Sequence, residues 1–208
     1  MHRDLSRFLK TFQNSFVPAP PYRGKAKNTW LMSRVWSESL RNWFKDNYRG
    51  IWHEFPVGDT GRRLDAALYH QELANPRDKG ARMDLAIEWE WDHNKVRTQF
   101  GGNDFRKLFE VPASCGAAIV HTRIDGRRGS QQATDVIRGL RQQQIDYGRT
   151  HGQRDVAIIE FRRILHTRTE VRFDACYWLN GSDKSKFLGH WDYAGSLGKE
   201  RRVERSDP

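Results

Sequence analysis

Three acids stand where apolar strands ordinarily carry none: Asp65 in RRLDAALYH, and Glu88 and Glu90 in RMDLAIEWEWDH. Residues two apart on a strand share a face. Asp84, Ala86, Glu88, Glu90 and Asp92 are therefore expected to point one way, and Leu85, Ile87, Trp89 and Trp91 the other. A row of carboxylates in a partly buried place raises its own pKa values and destabilises the fold unless cations neutralise it. If the 71–81 connection closes a hairpin, Asp65 lies across from this row. An Asp on one strand and a Glu-x-Glu on its neighbour can then share one or two hard cations such as Mg²⁺, with water and phosphate completing the shell. The competing expectation is the solvated face of an edge strand, its acids paired with Arg62, Arg63 and Arg82. The strongly apolar setting of both runs, and a helix carrying Lys107 directly afterwards, favour the cation site.

The charge distribution points the same way. The chain of 208 residues carries a net charge of +10, yet residues 51–100 hold seven basic against nine acidic residues, whereas residues 1–50 hold ten against three. Basic flanks neutralise backbone phosphates while clustered carboxylates hold divalent cations, which is the pairing a metal-dependent enzyme on phosphodiesters needs. Cys115 and Cys176 have neither a metal-ligand spacing nor the density of a disulfide framework, and both are expected as buried thiols. No apolar run approaches a membrane span and the start, MHRDLSRFLKTF, is polar, so a soluble, cytoplasmic protein is expected.

The elements that would position these acids follow from periodicity. Residues 3–16 predict a short helix, VPAPPYRGKAK a connector, and residues 28–48 a second helix with Leu31, Val35, Trp36, Leu40, Trp43 and Phe44 inward. Residues 51–57, 62–70 and 82–93 read as strands of an antiparallel meander. A helix capped near Asn103 packs Phe105, Leu108 and Phe109, and the strand CGAAIVHTRI follows it. After a turn through DGRRGS, Ser130 is expected to cap an amphipathic helix with Ala133, Val136, Ile137, Leu140 and Tyr147 inward. Strands at 155–164 and 170–179 come next. Residues 181–208 are expected to be irregular, anchored by Phe187, Leu188, Trp191 and Tyr193, and to end in a disordered tail. The whole predicts a single α/β domain with a core of roughly residues 30–180, a mixed central β-sheet flanked by helices.

On these residues the chain resembles the PD-(D/E)xK nuclease superfamily, the restriction-endonuclease-like fold. That pattern places an Asp on one core strand and Glu-x-Lys on the next, in the order helix, three strands, helix, strand. Asp65 in RRLDAAL matches the Asp, Glu88 in AIEWEW the Glu, and Glu54 in WHEFP an upstream acid, over roughly residues 30–165. The chain departs from the pattern at the lysine, where Glu90 stands. Some members carry a second Glu there and others draw the lysine from the following helix, which Lys107 in NDFRKLFE supplies; Lys95 is the substitute. The resemblance implies a restriction-endonuclease-like core and a Mg²⁺-dependent endodeoxyribonuclease, with Mn²⁺ as a possible substitute. Asp65, Glu88, Glu90 and Glu54 would then surround the metal, with Lys107 stabilising charge on the phosphate. It further implies DNA as partner, a type II restriction-like or phage-defence role, and a homodimer. RNA cleavage, structure-specific cleavage, or a non-catalytic nucleic-acid-binding module of the same fold remain the alternatives.

Other residues carry weaker signals. Glu54 is either a partner of the metal ligands or a turn residue beside Pro56. Asp84 stands four residues from Glu88, about 13 Å along a strand, and is expected to be structural or to face a phosphate loop. His93 lacks a second histidine at metal-ligand spacing. GRRG at 126–129 offers a basic turn, and Trp191 a surface on which a base could stack.

Overall fold

Two apolar faces on one set of strands require helices on both sides, and the computed structural model has that arrangement. It describes residues 1–15, 40–42, 44–46, 48, 50–56, 63–70, 82–90, 95–96, 100, 104–124, 126–165, 170–194 and 204–206. Eight strands form one mixed sheet in sequential order. They are β1 (Gly50–Pro56), β2 (Arg63–Tyr69), β3 (Met83–Glu90), β4 (Ala113–Ile124), β5 (Asp155–Leu165), β6 (Glu170–Leu179), β7 (Lys186–Ala194) and β8 (Glu204–Ser206). β1, β2 and β3 are an antiparallel meander, β3, β4 and β5 run parallel, and β5 through β8 alternate again.

Parallel neighbours need crossover connections, and two helices supply them. Helix α2 (Asp104–Glu110) joins β3 to β4, and α3 (Gly126–His151) joins β4 to β5. Both cover the same sheet face: Phe105, Leu108, Phe109, Ile137 and Leu140 cluster with Ala86, Ala118, Val120 and Ile158. Helix α1 (Arg3–Ser15) covers the other face. Its Leu5, Phe8, Leu9 and Phe12, at three- and four-residue spacing, pack with Leu85, Ile87, Ala117, Ile119 and Ile159. Central strands buried on both faces must be apolar at nearly every position, which is why CGAAIV and VAII read as unbroken runs.

Four features differ from the expectation. Helix α3 begins at Gly126, so the stretch expected as a turn is its first turn and Ser130 is not its cap. The segment from residue 181 is not irregular throughout, because Lys186–Ala194 pairs with β6 and Glu204–Ser206 with β7. A shift of register at Ala175/Cys176, opposite a left-handed Gly189, interrupts the alternation that would have signalled a strand. Within β7, Leu188 and Trp191 are buried but Phe187 is 41% exposed. Trp191 lies against Phe161 in the core, which removes it as a platform for a base. Of the helix expected over 28–48, residues 40–42 and 44 are helical with Leu40 and Phe44 buried; residues 28–39 lie outside the described residues, as do His93 and Asp92. Among the described residues no helix is long and apolar enough to cross a membrane.

Candidate functional site

β3 is an interior strand between β2 and β4, so its acids do not form a solvated edge face. On it Leu85 and Ile87 enter the core beneath α1, while Ala86 enters the core beneath α2 and α3. Glu88 follows Ala86 on the helix-covered side and is 1% exposed. The β2–β3 register aligns Ala66 with Ile87 and Ala67 with Ala86, and its continuation by one residue sets Asp65 directly across from Glu88. Opposed residues of an antiparallel pair share a face with Cβ atoms about 4.5–5.5 Å apart. Asp65 spends Oδ2 on the backbone N–H of Trp89, at 2.7 Å, which fixes its side chain against β3.

Lys107 closes the site from above. It is a buried lysine, 7% exposed, in the second turn of α2, whose Phe105 and Leu108 pin the helix onto the sheet. Its Nζ donates to the carbonyl of Arg63 at 2.6 Å and lies 2.8 Å from Glu88 Oε1 and 3.1 Å from Asp104 Oδ1. The contact with Oε1 is a charge–charge one rather than a well-aligned hydrogen bond. Burial pushes the Glu88 carboxyl well above the usual carboxylate range, neighbouring Asp65 pushes it further, and Lys107 pulls it back. For Lys107 burial acts downward, but Glu88 and then Asp104 outweigh it and hold the ammonium above its ordinary value.

Asp65, Glu88 and Lys107 are brought together, and Lys107 is buried rather than solvated. Glu90, partly buried, continues the row two residues beyond Glu88, where β3 aligns with Val120 of β4. Glu54 lies in β1 at the register position across from Asp65, between the pairs His53–Ala66 and Phe55–Leu64; its side chain lies outside the described residues. Lys95 is exposed. Asp104 was not foreseen. An acid at the first residue of a helix is commonplace for reasons of the helix dipole, so its type carried no signal until the fold placed it beside Lys107.

Asp84 belongs elsewhere. Its Oδ2 accepts from the backbone N–H of His70 at 2.6 Å, and Asp4, His70 and Asp84 each place a ligand-type atom within 4.8 Å of the others. Asp4 Oδ1 also accepts from Tyr48 Oη at 3.0 Å and lies 3.0 Å from His70 Nε2, and the His70 ring stacks on Tyr48. All three side chains are thus engaged in a polar network that ties α1 to β2 and β3. Asp4 stands 66 residues from His70, a pairing that no local pattern in the chain encodes. A further buried acid, Glu160 of β5, is held by a two-point contact from Arg162 and a hydrogen bond from Thr122.

Among the described residues, the group of three ligand-type atoms lying within 4.8 Å of one another is Asp4, His70 and Asp84, so the acids around Glu88 do not stand at the spacing of a formed metal site. Asp65, Glu88 and Asp104 are three carboxylates near one ammonium, and Glu88 is pushed toward its neutral form by burial first and then by Asp65, with Asp104 adding least. Oxygen donors with an excess of negative charge are what Mg²⁺ or Mn²⁺ takes. No family model, curated protein or solved structure matches the chain.

Proposed function

We propose that the chain is a Mg²⁺-dependent endonuclease that hydrolyses DNA phosphodiesters, with Asp65, Glu88 and Glu90 holding the ion and Lys107 contacting the phosphate. The observation that carries this is the convergence of Asp65, Glu88 and a buried Lys107 on one sheet face. The order three antiparallel strands, helix, parallel strand, helix, with a helix before them, agrees with the pattern of the PD-(D/E)xK nucleases, and α2 supplies the lysine missing from the Glu88-x-Glu90 strand. When bound, the ion lowers the pKa of a water and polarises the scissile phosphate. Asp65 and Glu88 contribute carboxylate oxygens from two paired strands, so their separation is set by sheet geometry rather than by loops. Glu90, two residues further along the same strand, would bind the ion or orient the attacking water. Lys107, anchored on the Arg63 carbonyl, presents fixed positive charge to the phosphoryl oxygens as negative charge accumulates on them. A restriction-like or phage-defence role, and cleavage by a homodimer, are the finer forms of the same proposal.

A second reading, a non-catalytic nucleic-acid-binding module, draws on the three close oxygen contacts of Lys107, which resemble those of a purely structural lysine. Incubation with supercoiled plasmid and MgCl₂, against an EDTA control, separates the two. Nicked and linear products are expected from the wild type and none from Glu88→Ala, whereas binding of duplex DNA without divalent ions is expected to persist in the variant. Undiminished cleavage by Glu88→Ala would overturn the assignment.

A further inference from the structure

An ammonium has three N–H bonds, and Lys107 faces three oxygens within hydrogen-bonding distance: Arg63 O at 2.6 Å, Glu88 Oε1 at 2.8 Å and Asp104 Oδ1 at 3.1 Å. With three oxygens this close around a side chain only 9% exposed, a phosphate oxygen arriving at Nζ competes with them for its place. Arg63 O belongs to the backbone of β2 and cannot leave without unpairing the strand. Glu88 is 2% exposed at its side chain and has no solvent to turn into. Asp104 is the longest of the three contacts, its side chain is 41% exposed, and it is the first residue of α2, so rotation about its side-chain bonds carries the carboxylate into water without moving the helix.

We infer that Asp104 is an internal stand-in for substrate: in the free protein its carboxylate occupies the position on Lys107 that a backbone phosphate oxygen of the nucleic acid takes in the complex. The inference rests on the reading of Lys107 as a phosphate contact. The exchange keeps a negatively charged oxygen at the same place beside the ammonium in both states, so the buried charge never loses that neighbour. It also moves one negative charge away from the incoming phosphate as that phosphate arrives.

The test is equilibrium binding of a short fluorescein-labelled DNA duplex by fluorescence anisotropy, in CaCl₂ so that affinity is read without turnover. Asp104→Asn is expected to bind more tightly on the order of tenfold, the effect of one charge-assisted hydrogen bond that no longer has to be broken. Glu110→Gln removes the same charge from the same helix, where Glu110 pairs with Arg106 rather than Lys107. It is expected to change affinity less than about twofold, as an exposed pair should. Lys107→Gln is expected to abolish the gain from Asp104→Asn when the two are combined. Equal gains from Asp104→Asn and Glu110→Gln, weaker or undetectable binding by Asp104→Asn, or a gain that survives Lys107→Gln would overturn the inference. If Lys107→Gln does not fold, the comparison of Asp104→Asn with Glu110→Gln decides alone. Absence of cleavage by the wild type would remove the nuclease proposal without altering any of these binding outcomes.

Discussion

Deleting the ammonium of Lys107 tests the electrostatics of the site independently of catalysis. Lys107→Met keeps an unbranched, helix-compatible stem in the buried face of α2 and removes only charge and donors. Glu88, with a side chain 2% exposed, is then left facing Asp65 and Asp104, and the Arg63 carbonyl loses its donor at 2.6 Å. Removing one partner of a buried ion pair costs about 3–5 kcal/mol. Protonation of Glu88 limits that cost, because burial and Asp65 already hold its carboxyl well above the usual range and loss of Lys107 raises it further. An acid whose folded pKa exceeds its unfolded value contributes stability that is complete below the unfolded pKa and is lost as pH rises through the folded one. Urea unfolding followed by tryptophan fluorescence is therefore expected to show Lys107→Met about 3 kcal/mol less stable than the wild type near pH 8 and closer to it near pH 5. Adding Glu88→Gln, which removes the uncompensated charge, should return more than half of the loss near pH 8. A loss below about 1 kcal/mol, equal losses at both pH values, or no rescue would refute the account of a buried, cation-dependent carboxylate.

Ca²⁺ or Mg²⁺ at millimolar concentration should raise the melting temperature of the wild type by binding the folded state alone, and the rise should vanish in Asp65→Asn; an undiminished rise would place the ion elsewhere, the Asp4, His70 and Asp84 network being the first place to look. Gly181, at φ +73°, has no room for a side chain, since a Cβ would stand 2.5 Å from Ile145 Cγ1. Gly181→Ala should cost about 1–3 kcal/mol in urea unfolding, with partial recovery on adding Ile145→Ala. The Cys115 thiol is pushed up to about 12, mainly by burial and then by Asp4. It should react with a disulfide reagent far more slowly in the folded than in the unfolded chain. The unfolded thiol ionises first, so stability should fall as pH climbs above about 9, by up to roughly 1.4 kcal/mol per pH unit from this group.

Much of the frame was determined by local pattern. The alternation in RMDLAIEWEWDH, the apolar runs in RRLDAALYH and at 115–124 and 155–164, and the spacing of Phe105, Leu108 and Phe109 each reflect a pattern that short-range sterics and burial impose on neighbouring residues. So did the common face of Ala86 and Glu88, because strand geometry depends on nothing beyond the strand itself. What only the tertiary structure decided was where each acid finds its partner. Asp65 meets Glu88 because a hairpin register was chosen. Lys107 is a buried cation rather than a solvated one because α2 lies across β3. Asp84 leaves the row because α1, sixty and more residues away in the chain, brings Asp4 to His70. The strand at 186–194 had the same cause, since its pairing with β6 across a bulge overrode a glycine-containing, mixed-polarity stretch that has no strand signal of its own. Charge and hydrogen-bonding partners act through space over a few ångströms, and the sequence orders residues only along the chain.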